Sequence, residues 1–273
     1  MNKVYIIDAD AGLQLGSRLN ECWHRRDLIQ MLIWRDIKVK YIQTYLGLSW
    51  AILNPVISIL LLLFVFHIVT KVELSSIPPI LFILSGLCIW NYFSKVVAES
   101  GESIIGAQSL VKKIYFPRLV IPISKILGGL IEFAFVFIVL LVLLFFYGYD
   151  INLRYLFLIP AILLTIMISL GCGIWVAALS IRFRDFHYIT PVMLRIGMFV
   201  SPVAYGSQFV ENQYKWIVSL NPLTGIIDLM RWIFFDLPLD PDIFTISVIF
   251  GLLILLSGIW YFIRMEKYIA DII

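Results

Sequence analysis

Charged residues are scarce in this sequence. Asp, Glu, Lys and Arg make up 14% of its 273 residues, whereas about 25% is usual for a soluble domain. Hydrophobic residues make up 61%, and the mean hydropathy is +0.96. Because a water-exposed surface cannot be built from this composition, a soluble globular protein is excluded. The formal net charge of +3 is too small to indicate nucleic-acid binding, and we expect a membrane protein.

Residue patterns that carry out chemistry are also missing. The three cysteines form no CxxC pair and have no neighbouring histidine cluster, which indicates neither a disulfide framework nor a metal site. The sequence contains no GxxxxGK(S/T) nucleotide-binding loop, no HExxH motif and no GxSxG motif. We therefore predict that the chain is not an enzyme and holds no cofactor or metal of its own. The class of function that remains for a membrane protein of this kind is transport, as a channel, a carrier or an exporter.

Apolar stretches long enough to cross a bilayer recur along the chain. A membrane helix needs about 20 mainly apolar residues to cross about 30 Å of hydrocarbon. We predict an all-α membrane protein that forms one transmembrane domain over residues 1–273. Its six membrane-spanning helices are predicted at residues 48–70, 77–97, 119–147, 156–180, 189–205 and 243–263.

The basic residues predict which loops lie on which side, since cytoplasmic loops retain Lys and Arg. Residues 1–47, 95–118, 182–184 and 264–273 carry 15 of the 21 Lys and Arg residues, whereas the opposite loops carry four. Both termini are therefore predicted to be cytoplasmic. No cleavable signal peptide is expected, because the first 40 residues are polar where an apolar segment should begin.

Residues 1–47 are predicted to form a cytoplasmic and interfacial segment that ends in a helix along the inner membrane surface. Arg25, Arg26 and Arg35 would meet lipid phosphates there, and Trp23 and Trp34 would lie at the interface. A cytosolic segment packed on the protein is the alternative.

The outer stretch at residues 209–235 is too apolar for an ordinary loop. Two short apolar pieces flank Asn221-Pro222, a turn signal that ends a helix. We predict a re-entrant helical hairpin in the outer leaflet, with Asp228 and Arg231 paired on one helix face. An amphipathic cap over the outside of the bundle is the alternative.

Two of the charged residues inside predicted spans need an explanation, because a charge at the centre of a membrane helix costs about 2.5–3.5 kcal/mol on insertion scales. Glu132 and Arg195 each lie six residues from the expected inner end of their span, at roughly 9 Å depth. Equal depth predicts an ion pair between them. The alternatives are that Arg195 lines a channel and meets substrate phosphate, or that both side chains extend to the inner interface, as Lys125 is expected to do.

Four groups of residues, in order along the chain, resemble the ABC-2 type permeases that export polysaccharides such as O-antigen, capsule and wall teichoic acid. The resemblance covers nearly the whole chain. The groups are Trp34-Arg35-Asp36-Ile37-Lys38-Val39-Lys40-Tyr41 with Gln43-Thr44, Leu46-Gly47, Trp50-Ala51 and Asn54-Pro55; Lys112-Lys113-Ile114-Tyr115-Phe116-Pro117-Arg118 with Pro122; Arg182-Phe183-Arg184-Asp185 with Ser201-Pro202-Val203; and Asn221-Pro222-Leu223 with Arg231.

The resemblance implies a homodimeric permease in the bacterial cytoplasmic membrane, flanked by two copies of a separate cytoplasmic ATPase that binds ATP and Mg. It also implies a lipid-linked polysaccharide as substrate. An exporter of drugs or lipids is the alternative within the wider family. A membrane glycosyltransferase or lipid phosphatase would need clusters of carboxylate, His or Arg residues that this sequence lacks.

The resemblance also suggests roles for particular residues. Residues 98–116 would couple the permease to the ATPase, through a short helix at 98–113 with Glu99, Glu102, Lys112 and Lys113. The re-entrant region would act as an outer gate. Apolar sugar faces stack on aromatic rings, and our candidates for lining the substrate channel are Tyr41, Tyr45, Trp50, Phe199 and Tyr205.

Overall fold

Helices form all the regular structure seen in the described part of the chain, and no strand occurs there. The computed structural model describes residues 15–41, 44–45, 47–50, 53, 56–58, 60–61, 64, 77–114, 116–211 and 213–272. The α-helices are α1 (Leu15–His24), α2 (Arg26–Tyr41), α3 (Pro79–Gly106), α4 (Gln108–Lys113), α5 (Val120–Phe146), α6 (Leu158–Arg182), α7 (Phe186–Val200), α8 (Lys215–Ser219), α9 (Thr224–Phe235) and α10 (Pro241–Ile272). Short 3₁₀ turns lie at Gly47–Ser49, Leu153–Phe157 and Ser207–Phe209.

Four of the described helices are long and apolar enough to cross a membrane. They are Pro79–Gly106, Val120–Phe146, Leu153–Arg182 and Pro241–Glu266. These helices cover the stretches predicted as the second, third, fourth and sixth spans. Most of the stretch predicted as the first span, 48–70, lies outside the described residues.

The stretch predicted as the fifth span, 189–205, is not one continuous helix. Helix α7 has 15 residues, which is about 22 Å at 1.5 Å per residue and shorter than the hydrocarbon core. Ser201 is extended, with φ −75° and ψ 141°, because the following Pro202 disfavours helical geometry at the residue before it. The prediction assumed that the helix continues as long as the sequence stays apolar, whereas the helix ends at Val200.

Helix α3 continues further than predicted. It runs without interruption for 28 residues to Gly106, so residues 98–106 continue the helix that contains the second predicted span and do not form a separate helix at 98–113. The charges at Lys95 and Glu99 end the apolar stretch without ending the helix. The break comes at Ala107, and the six-residue helix α4 follows it.

Helix α3 is the central element of the bundle, packed on α5 and α6 and contacted by α7 and α9. Helix α6 packs closely on α10, where a Cβ atom built on Gly171 would lie 2.7 Å from the backbone nitrogen of Leu255. Small residues let membrane helices approach in this way. Helix α9 is buried between α3, α6 and α10. The two short helices of the predicted hairpin are therefore present, and their depth in the membrane stays a prediction.

The N-terminal helices lie at one end of this bundle. Helix α2 packs along α5, and Cys22 and Leu32 belong to an apolar cluster with residues from the ends of α3, α6 and α10. Trp23 and Trp34 remain largely exposed. The segment thus packs on protein on one side and leaves tryptophans uncovered on another.

Candidate functional site

The most concentrated group of charges in the described residues lies where α2, α3 and α5 meet. We call Lys40, Tyr41, Lys95, Glu99 and Glu132 the inner charge cluster. Oε1 of Glu132 lies 2.8 Å from Nζ of Lys40 and also contacts Nζ of Lys95, and the Tyr41 hydroxyl donates to it. Oε1 of Glu99 lies 3.5 Å from Nζ of Lys40 and 3.8 Å from Nζ of Lys95. Two cations and two anions therefore share one site.

The electrostatics of α2 fit this arrangement. Burial acts to lower the pKa of Lys40, but its hydrogen bond to Glu132 and the charges of Glu99 and Glu132 hold the pKa above its usual value. Burial and the neighbouring Glu132 carboxylate together raise the pKa of Tyr41. Lys40 therefore stays charged and Tyr41 stays a hydrogen-bond donor at neutral pH.

The structure corrects the predicted ion pair between Glu132 and Arg195. Glu132 pairs with Lys40 and Lys95 instead, and Arg195 is exposed on α7. Equal depth along two helices does not make the helices neighbours. Helix α7 packs mainly on α3 and α6, whereas α5 packs on α2, α3 and α6.

A second ion pair also attaches α2 to α5. Nζ of Lys125 lies 2.7 Å from Oδ2 of Asp36, so Lys125 does not simply extend to the interface as predicted. Burial acts to raise the pKa of Asp36, but its bonds to Lys125 and Arg35 overcome this and hold the pKa below its usual value. Asp36 and Lys40, one turn apart on α2, thus both pair with α5.

A cavity of about 370 Å³ adjoins the inner charge cluster. Its polar wall includes Lys40, Lys95 and Glu132, and two of the predicted channel aromatics, Tyr41 and Trp50, line it as well. The other three predicted channel aromatics do not line this cavity. Tyr45 and Phe199 are strongly exposed, and Tyr205 follows the end of α7.

A buried arginine joins three elements at the other end of α3. Arg231 on α9 is 1% exposed, and its guanidinium donates to the backbone oxygens of Val203 (2.8 Å) and Tyr205 (2.9 Å). It also lies 3.7 Å from the ring centroid of Phe82 on α3. We call these four residues the Arg231 junction. It holds the turn after α7 against both α3 and α9.

Other predicted gate residues surround this junction. Nδ2 of Asn221 donates to Oγ of Ser201 at 2.7 Å, and Oδ1 of Asn221 accepts from the backbone nitrogen of Leu223 at 3.0 Å. Pro222 lies in the turn between α8 and α9. The predicted Asp228–Arg231 contact is present at 3.9 Å, so it is long, and the carbonyl oxygens are the closer partners of the arginine.

The predicted coupling residues separate into two places. Glu99 belongs to the inner charge cluster, whereas Glu102, Lys112 and Lys113 are exposed near the end of α3 and along α4. Oε1 of Glu102 lies 3.6 Å from Nδ1 of His187 at the start of α7. A cavity of about 330 Å³ between these segments is lined by residues that include Gln108, Arg184 and His187.

Sequence reasoning missed Lys40 and Lys95 as partners of Glu132. One signal was available, since Lys95 and Glu99 are four residues apart and therefore lie on the same helix face. That spacing marks a charged face on α3 that needs partners. It does not identify α2 and α5 as the helices that provide them, because this depends on how the bundle packs.

Comparisons with known proteins agree with the family resemblance of the sequence. The sequence model of the family described as ABC-2 type transporter matches residues 27–235. The chain is 28% identical over 248 residues to an O-antigen export system permease protein RfbA from Klebsiella pneumoniae, covering 90% of this chain and 95% of that protein. It is 24% identical over 220 residues to an RfbA permease protein from Myxococcus xanthus, covering 80% and 84%. A polysialic acid transport protein KpsM from Escherichia coli is 26% identical over 208 residues, covering 74% and 79%.

Proposed function

The chain belongs to the ABC-2 type transporter family, and we propose that it is the membrane-spanning permease subunit of an ABC exporter that moves polysaccharide out of the cell. The observation that carries this proposal is the end-to-end similarity to named export permeases, which extends over 95% of the length of one O-antigen permease. The missing nucleotide-binding loop also supports it, because the energy for transport must then come from another chain.

The finer assignment is that of a homodimer in the bacterial cytoplasmic membrane, with six spans per subunit and cytoplasmic termini. Two copies of a separate ATPase bind ATP and Mg and drive a lipid-linked polysaccharide outward. The helices α8 and α9 serve as the outer gate, and the segment at 98–116 contacts the ATPase. Its exposed charges Glu102, Lys112 and Lys113 are available to a partner chain.

The length of α3 suggests how force would reach the outer gate. The helix is about 42 Å long at 1.5 Å per residue, and it carries Glu102 near one end and Phe82 near the other. Movement of its inner end would displace the Arg231 junction directly, because Arg231 lies against Phe82 and Gly86 approaches Val203 closely. Helix α2, paired with α3 and α5, would move with them.

Reconstitution tests the proposal. The full chain is placed in proteoliposomes with its ABC ATPase partner, and ATP-dependent transfer of a lipid-linked glycan into the lumen is measured. We expect transfer that requires both chains and hydrolysable ATP. Transfer of drugs or simple lipids with no transfer of glycans would support the other exporter class, and ATP hydrolysis by this chain alone would contradict the assignment.

A further inference from the structure

The cavity beside the inner charge cluster has more positive than negative charge on its wall. Among the described residues, its lining carries the ammonium groups of Lys40 and Lys95 and one carboxylate, that of Glu132. Each ammonium has three donors, and both contact the same oxygen of Glu132. Donors therefore remain for a further acceptor.

Glu99 supplies the balancing negative charge from outside the cavity lining. Its contacts are loose, at 3.5 Å to Lys40 and 3.8 Å to Lys95, and 37% of its side chain is exposed. An incoming anion that approached the two lysines at 2.7–2.9 Å would form stronger, charge-assisted hydrogen bonds. Glu99 can move aside because it is not enclosed.

The rest of the wall suits a headgroup that carries neutral polar groups and adjoins an apolar chain. Asn91 and Ser94 lie beside the lysines, and Trp50, Tyr92 and Phe133 provide aromatic surface. Helix α2, whose exposed Trp34 and basic residues suit a membrane surface, forms one side of the site. An anion that reaches this place from the membrane is therefore attached to a lipid.

We propose that the cavity between α2, α3 and α5 binds the phosphate or diphosphate group of a lipid from the inner leaflet, with Lys40 and Lys95 as its ligands. Glu99 occupies the two lysines when the site is empty and competes with the lipid phosphate. The inner-leaflet location rests on the proposed function and deepens it, since the lipid that carries an exported glycan would present this group. The contact between phosphate and lysine rests on the cavity alone.

Binding of defined lipids to the full chain in zwitterionic nanodiscs tests the site. The probes are a polyprenyl diphosphate, a polyprenyl monophosphate, the uncharged polyprenol, phosphatidylglycerol and inorganic diphosphate, measured by native mass spectrometry or thermophoresis. We expect the phosphorylated polyprenyl lipids to bind and the polyprenol to bind at least about tenfold more weakly. Phosphatidylglycerol that binds with the same dependence on lysine would identify bulk lipid as the source, and inorganic diphosphate that does so would identify free phosphate.

The variants give the sharpest result. Lys40→Gln and Lys95→Gln should each weaken polyprenyl diphosphate binding about tenfold, whereas Glu99→Gln should strengthen it about threefold because the competing carboxylate is gone. Lys38→Gln is the matched control, since Lys38 is exposed on the same helix and does not line the cavity. It should change binding less than twofold. If Lys95→Gln does not fold, Lys40→Gln and Glu99→Gln at half-exposed positions still decide the matter.

Three results would overturn the site, and the third separates it from the export proposal. Equal binding of polyprenol and polyprenyl diphosphate would show that the phosphate is not recognised. Weaker binding in Glu99→Gln, together with a loss of thermal stability, would show that the cluster is purely structural. Failure of the export proposal can be distinguished from failure of the site. If the wild type transfers glycan and the lysine variants bind the lipid normally, only the phosphate site is wrong. If binding depends on the lysines but no glycan is transferred, only the export proposal is wrong.

Discussion

At the scale of single residues, Glu132 balances the charge of two lysines, and its removal leaves them only the longer contacts with Glu99. We expect Glu132→Gln to lower the unfolding free energy by about 1–3 kcal/mol, a range reduced from that of fully buried pairs because Lys40 is half-exposed. Thermal unfolding of the purified chain in detergent measures this as a fall of several degrees.

Arg195→Gln is the comparison for that experiment. Arg195 is exposed and lies on a helix that packs mainly on α3 and α6, so we expect its unfolding temperature to match that of the wild type within about a degree. If both single variants lower the unfolding temperature equally and the double variant lowers it no further, the predicted Glu132–Arg195 pair would be supported instead.

These residues show how much of the site could be predicted from the sequence. Hydropathy identified Glu132 as a charge that needs an explanation, because a carboxylate in a span is costly wherever the helix packs. The partners could not be read in the same way. Lys40 precedes the first predicted span and Lys95 lies at the end of the second, so only the packing of α2 and α3 against α5 brings them to Glu132.

Arg231 acts through the shape of its guanidinium. Two backbone oxygens, of Val203 and Tyr205, accept from its two terminal nitrogens, and a lysine has no such planar fork. We expect Arg231→Lys to cost roughly 2–4 kcal/mol and to lower the unfolding temperature by roughly 5–10 °C, because at least one buried oxygen loses its donor.

The control for Arg231 is Arg264→Lys on α10, where the side chain is exposed. Export and protease resistance of the segment after α7 are measured beside thermal unfolding. We expect Arg231→Lys alone to expose the bond after Tyr205 to protease. Wild-type protection in that variant would mean that the junction does not hold this turn.

At the scale of helices, the contact between α6 and α10 depends on Gly171. A Cβ atom there would lie 2.7 Å and 2.8 Å from backbone atoms of Leu255, and backbone cannot give way as a flexible side chain can. We expect Gly171→Ala to cost about 1–3 kcal/mol and to lower the unfolding temperature. In Gly106→Ala nothing lies within 4 Å of the added carbon, so stability should stay equal or rise slightly. Equal stability of the two variants would contradict the close packing.

The exposed charges near the α3–α4 break carry the coupling hypothesis. Reversing Glu102 and Lys112 together, as Glu102→Lys with Lys112→Glu, should abolish ATP-driven export while the chain stays in the membrane at normal abundance. Both side chains are exposed, so stability should change little. Glu211→Lys, an exposed charge in the segment between α7 and α8, is the matched control and should export normally. Normal export by the double reversal would reduce α4 to a simple connector.

Helix boundaries mark a second limit of the sequence. Apolar composition located both ends of α5 and α6 and the start of α10 to within a few residues, because long apolar stretches have few alternatives to a helix in lipid. It missed the end of α10, which continues past residue 263 to Ile272. It failed at α3, where a helix continues through Lys95 and Glu99 into polar sequence, and at α7, where it stops inside an apolar stretch at Ser201. Hydropathy indicates whether a segment lies in lipid or in water, whereas backbone geometry and hydrogen bonds determine where its helix ends.

At the scale of the whole molecule, ion pairs and hydrogen bonds between distant segments are consistent with the predicted sidedness. Arg118 donates its backbone N–H to Oε1 of Glu266 at 3.0 Å, and both residues come from stretches assigned to the cytoplasmic side. Arg154 pairs with Asp236, and both come from stretches assigned outside. The pattern of Lys and Arg thus groups loops that the fold also brings together.

Cysteine accessibility tests this sidedness. In a background with Cys22, Cys88 and Cys172 replaced by Ala, we expect Asp150→Cys and Gln213→Cys to react with an impermeant maleimide in intact spheroplasts. Lys112→Cys and Arg264→Cys should react only after permeabilisation. All four positions are exposed, so lack of reaction reports the side of the membrane and not burial.

Gln213→Cys is the critical position of the four. Helix α7 is too short to cross by itself, so the chain reaches the outer side only if the turn at residues 201–205 completes the crossing. That turn has no helical hydrogen bonds of its own to satisfy its carbonyls, and the guanidinium of Arg231 supplies two donors for them. Such irregular backbone is tolerated at membrane depth when protein satisfies it. Labelling of Gln213→Cys only after permeabilisation would place α8 and α9 inside the cell and remove the outer gate.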